Sequence, residues 1–126
     1  MAFRAVSALM TALLAVAVAV QYNDPDPVQW MAIYGAACAL SAVAVVRGRA
    51  PWAWAAAVGL VALVWGIVAA QGAYGRSHLI EMFQSWEMKS PGVEEAREAS
   101  GLLIVAAWMA VLAIQARIRR SDSSLP

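Results

Sequence analysis

The sequence predicts an all-α fold, a four-helix transmembrane bundle with a short amphipathic interfacial helix in its outer loop. Two observations predict it. Hydrophobic residues make up 63% of the 126-residue chain and charged residues only 13%, more apolar surface than a water-soluble domain of this size can bury. That surface is also gathered into four charge-free stretches, Ala5 to Val20, Val28 to Val46, Pro51 to Tyr74 and Ala99 to Ala116. Each lies near the roughly 20 residues that a helix rising ~1.5 Å per residue needs to cross a ~30 Å hydrocarbon layer. With their flanks the spans fall at 3–21, 27–46, 51–74 and 93–117, giving one membrane domain over residues 1–120 and a disordered tail over 121–126.

The first span is short and rich in alanine. Residues Met1 to Val20 also fit a secretory signal peptide, with Arg4 as the charged start and Ala17 and Ala19 at small-residue positions; cleavage would leave three spans. The uncleaved span is the expectation. The second span opens with Asp26 as helix cap, Pro27 in the first helical position and Gln29 three residues beyond the cap, where a capping box puts its reciprocal partner. Before it, Asn23 and Asp24 ahead of Pro25 favour a turn. The third span carries Trp52 and Trp54 near its start, and these, with Trp30, read as anchors at the membrane boundary. Trp65 and Trp108 fall deeper and read as core residues. Ser90 can cap a fourth helix beginning at Pro91, with Glu94 and Glu95 near the positive end of its dipole. Ala32, Gly35, Ala36 and Ala39 in the second span, Gly59 and Gly66 in the third and Gly101 in the fourth are the positions expected to permit close helix approach.

The loop from Gly75 to Pro91 holds one further element. Leu79, Met82, Phe83 and Trp86 recur at helical spacing while Glu81, Gln84, Ser85 and Glu87 fall largely elsewhere, as in a helix lying flat at the interface. A lid or a partner-docking helix is the alternative.

Orientation follows from the arginines. With four spans, Arg4, Arg47, Arg49, Arg117, Arg119 and Arg120 share one face, and Arg76, Lys89 and Arg97 the other. The positive-inside rule then puts both termini in the cytoplasm, in an inner or plasma membrane. The acids divide oppositely: all but Asp122 fall outside.

Several function classes are excluded or poorly supported. A formal charge of +1, with sparse basic residues and no interleaved aromatics, argues against a nucleic-acid partner. Cys38 and His78 are each the only residue of their kind, so one chain forms neither a disulfide nor a multi-histidine or thiolate metal cage. No ionisable residue lies deep in a span, which counts against a pump or transporter. No catalytic motif is recognised, and the expectation is a protein that is not an enzyme and holds no cofactor. Expected partners are the lipid bilayer and other membrane proteins or a second copy of the chain.

The chemistry that remains is an outer polar cap. On a helix Glu94, Arg97, Glu98 and Gly101 share a face that continues through Val105 and Trp108, so a face turned inward brings the glutamates to the loop of Asn23, Asp24 and Asp26. Three readings stay open. Arg97 can pair with Asp24 or Asp26 and staple the loop to the fourth helix, making Asn23, Asp24, Asp26, Arg97 and Glu98 a structural cap. Alternatively, Asp24, Asp26, Glu94 and Glu98 can supply oxygen ligands for a divalent cation, or bind a small polar ligand or act on it catalytically. The third reading is a solvated acidic face with no pairing.

Two segments carry a resemblance. Gln21, Asn23, Asp24, Pro25, Asp26, Trp30 and Tyr34, together with Glu94, Glu95, Arg97, Glu98, Ser100, Gly101, Leu102 and Trp108, resemble the transmembrane protein 220 family. Trp65 shares in the likeness, which extends from about Val16 to Leu112. It implies a four-helix membrane protein and raises the standing of the two acidic clusters, and it supplies no mechanism. The function expected is that of an accessory, interaction or structural membrane protein organised around the outer cap.

Overall fold

The computed structural model describes residues 2–23, 26–76 and 91–123. They form α1 (Ala2–Val20), a 3-10 turn (Gln21–Asn23), α2 (Pro27–Arg47), α3 (Trp52–Arg76) and α4 (Pro91–Ser123), with no strand among the described residues. All four helices are long and apolar enough to cross a membrane. The amphipathic segment expected at Leu79 to Trp86 lies outside the described residues. The fourth helix begins at Pro91 and continues through Ser123, three residues into the stretch expected as tail.

Pairing follows the chain. α3 and α4 lie together along most of their length, α1 and α2 pair less extensively, and the two hairpins touch more lightly, chiefly through α2. The short connection between α2 and α3 is made by Gly48. Its φ of 77° is a left-handed conformation that only glycine adopts without strain, and its N–H donates to the Ala44 carbonyl at 2.9 Å. The Pro51 carbonyl then accepts from the Ala55 N–H at 3.0 Å, starting α3.

The core belongs mostly to α4. Leu102, Val105, Met109 and Leu112 are almost wholly buried and recur at the three- and four-residue spacing of one helical stripe. Against them α3 presents Gly59, where an added Cβ would stand 2.9 Å from the Met109 Cβ, and Gly66, where it would stand 3.1 Å from a Leu103 methyl. The two expected small-residue positions in α3 are therefore points of close approach. The expectation fails for α2. Among the described residues nothing lies within 4 Å of a Cβ built on Gly35, and Ala32 and Ala39 are exposed. Its buried face is Trp30, Ile33, Ala37, Leu40, Ser41 and Ala44. Small residues surround α2 on every side, so composition alone does not single out the packed one.

The outward faces are apolar. Leu9, Leu13 and Val16 on α1 and Leu60, Val64 and Val68 on α3 are exposed, as lipid-facing side chains are, since burying them against another helix gains little over contact with acyl chains. Trp54, in the first turn of α3, is 69% exposed.

Candidate functional site

Residues from three helices meet where the hairpins touch, near the end that holds the connection between α1 and α2. Trp30, in the first turn of α2, is buried, and its ring stacks on Trp65 of α3 with centroids 4.5 Å apart and planes inclined by 28°. Trp30 is thus a bundle residue and not the boundary anchor expected from its position. A helix turns ring-bearing residues four apart onto one face, so Tyr34 follows, its ring 6.3 Å from Trp30. The Tyr34 hydroxyl lies over Gly101 of α4, in the space a Cβ would need. One turn before Gly101, the half-buried Glu98 is close enough to act electrostatically on that hydroxyl. Trp30, Tyr34, Trp65, Glu98 and Gly101, which come from well-separated parts of the sequence, form one aromatic and polar seam.

The inward face expected on α4 is observed in part: Glu98 is half-buried, Gly101 meets Tyr34, and Val105 and Trp108 are buried. Arg97, expected on the same face one turn before Gly101, is exposed instead, at the edge of the stripe. Of the cap residues on the other side, Asn23 ends the 3-10 turn and is exposed, and Asp24 lies outside the described residues. Glu94 and Glu95 fall in the opening turns of α4, and their side chains lie outside the described part of the structure. Asp26 is exposed and stands directly before Pro27, which occupies the first helical position as expected. The capping box does not form. With φ at −123° and ψ at 64°, outside the β region usual for a cap, the Asp26 side chain makes no capping hydrogen bond. Among the described residues, no three His, Cys, Asp or Glu side chains gather closely enough to hold a metal.

Two further levels join the hairpins. Within the spans the Trp108 indole N–H donates to the Ser41 hydroxyl oxygen at 2.8 Å, and that hydroxyl donates to the Ala37 carbonyl at 2.8 Å. This chain satisfies the one polar atom of a buried indole. Phe3 packs against the same ring, with centroids 6.5 Å apart. At the end holding the α2–α3 connection, the Gln115 amide donates to the Gly48 carbonyl at 3.0 Å. The Arg4 guanidinium lies against Gly48, 3.1 Å from where a Cβ would stand. The start of α1, the connection and the last part of α4 thus share one end of the bundle.

Sequence reading missed Ser41 and Gln115, although each is a hydrogen-bonding side chain inside an otherwise apolar span. That isolation was the available signal, because a polar group in lipid needs a partner on a neighbouring helix. Cys38 is half-buried, its thiol donating to the Thr11 carbonyl at 3.4 Å.

Among the described residues the seam sets one tyrosine hydroxyl within electrostatic reach of one carboxylate. What it offers is attachment between helices: stacked rings, a hydroxyl over a glycine and a carboxylate at the rim. The family model described as transmembrane family 220, helix, matches residues 13–114, which takes in all of α2 and α3 and most of α4. No solved structure matches the chain. With four apolar helices and a match over most of its length, the chain is an integral membrane protein and belongs to transmembrane family 220.

Proposed function

We propose that the protein is a non-enzymatic accessory or structural membrane protein, whose outer cap staples the first connection to the start of α4 and fixes one hairpin against the other. The observation that carries this reading is the seam itself. Residues marking the family resemblance, Trp30, Tyr34, Trp65, Glu98 and Gly101, meet where the hairpins otherwise touch lightly. Asn23, Asp24 and Asp26 stand just ahead of this seam in sequence, with Arg97 beside Glu98. In the staple, Arg97 reaches the first connection from the exposed side of α4 while Glu98 faces the seam. The arginine asymmetry supports termini in the cytoplasm and a cap outside an inner or plasma membrane. The exposed apolar faces suit other membrane proteins or a second copy as partners.

Thermal unfolding in detergent tests the staple. Asp24→Asn combined with Arg97→Gln lowers the melting temperature by about 4 °C, with or without added metal. Calcium at about 1 mM leaves the wild type unchanged. A calcium-dependent rise that disappears in Glu98→Gln would overturn the staple in favour of a cation site formed by Asp24, Asp26, Glu94 and Glu98.

A further inference from the structure

At the end of the bundle opposite the seam, a cleft of about 490 Å³ opens between the α2–α3 connection and the last turns of α4. Arg47 and Arg49 from the connection and Arg120 from α4 line it, and Val43, Trp52 and Ala116 form apolar walls. None of its described lining residues is acidic. A fourth cation is close by, because the Arg117 guanidinium sits 4.6 Å from the centre of the Trp52 ring.

The positions of Arg47 and Arg49 are fixed by the backbone that carries them. Gly48, between them, holds its left-handed turn through its own N–H bond to Ala44, and its carbonyl accepts from Gln115 of α4. The connection is therefore tied to both hairpins, and the backbone positions from which its two arginines reach the cleft are held in place. The start of α3 adds to the field. Its first intrahelical bond is Ala55 to Pro51, so the N–H groups of Trp52, Ala53 and Trp54 precede the ladder and form the positive end of the helix here.

Membrane topology by itself asks only that arginines lie on one side, and it is satisfied wherever on that face they stand. Convergence of three of them on one concave site, from two elements locked together by Gln115, is a further property and has the chemistry of phosphate recognition. Guanidinium forks match phosphate oxygens in pairs. The apolar walls belong to the membrane-spanning helices α2, α3 and α4, and the arginines stand at the ends of those helices, where a charged headgroup can meet them.

We propose that this cleft binds the phosphate of an anionic phospholipid headgroup in the leaflet on the side of the termini. Native mass spectrometry of the full chain in neutral detergent tests it, with phosphatidylglycerol, phosphatidylcholine and inorganic phosphate titrated separately. Phosphatidylglycerol is expected to bind about tenfold more tightly than phosphatidylcholine, and Arg47→Gln with Arg49→Gln to remove about tenfold of that affinity. Arg119→Gln, which changes charge on the same face outside the cleft, is expected to stay within about twofold of wild type. Equal binding of the two lipids would overturn the proposal, as would an equal loss in Arg119→Gln. Inorganic phosphate that competes at similar concentration would overturn the lipid as the source of the phosphate. If the double variant does not fold, the wild-type comparison of the two lipids and phosphate decides alone.

Discussion

Between α3 and α4, a side chain at Gly59 would collide with Met109 and one at Gly66 would press tightly on Leu103, and the two helices run together along most of their length. Between the hairpins the contacts are fewer and are carried by rings and polar groups: Trp30 on Trp65, Tyr34 over Gly101, and Trp108 bonded to Ser41. The contrast shows two ways to hold helices together in a solvent as apolar as their side chains. Where backbones come close, dispersion over a long seam is enough. Where they do not, a few large rings and hydrogen bonds must supply both the contact and its register.

Enlarging a glycine in the close seam has the largest expected effect. Gly59→Leu must displace Met109, and a loss of about 3 kcal/mol in stability is expected from unfolding in mixed micelles. A loss under about 1 kcal/mol would mean that the α3–α4 seam yields more readily than its close approach implies.

At the joint between hairpins, Gly101→Ala puts a Cβ into the Tyr34 hydroxyl and is expected to cost about 2 kcal/mol. The specific check is rescue. Without the hydroxyl the next atom, Tyr34 Cζ, is 3.6 Å away, an ordinary contact. Tyr34→Phe should therefore recover most of the loss in the Gly101→Ala background while giving no comparable gain in the wild type.

Ser41→Ala leaves the buried Trp108 N–H without its acceptor, and about 1 kcal/mol is expected from the same unfolding measurement. Trp108→Phe removes the donor, so the double variant should cost less than the sum of the singles. Additivity would show that the bond contributes nothing of its own.

Gly35→Ala marks the lower end of the scale. Space is open around that position, and the change is expected to leave the fold intact and to stabilise it by under about 1 kcal/mol through helix propensity. A measurable loss would place a neighbour against the side of α2 that is open here.

The number of apolar helices, the start of α4 at Pro91 and the inward turn of Glu98, Gly101, Val105 and Trp108, though not of Arg97, were legible in the sequence. Each rests on a signal carried along a single helix: length, charge, a proline, or residues three and four apart. The same local logic misplaced Trp30 at the boundary and the packed side of α2 on Ala32 and Ala39, and it made Asp26 a capping residue. It did not anticipate that Ser41 would meet Trp108 or that Gln115 would reach Gly48.

What the sequence alone determined is that lipid is the solvent of this chain, because four apolar stretches bridge a bilayer whatever they pack against. The tertiary structure decided which sides of those helices meet. In lipid the apolar pattern no longer separates inside from outside, and the partner of a buried ring or a lone hydroxyl is chosen by helices brought together across long stretches of sequence.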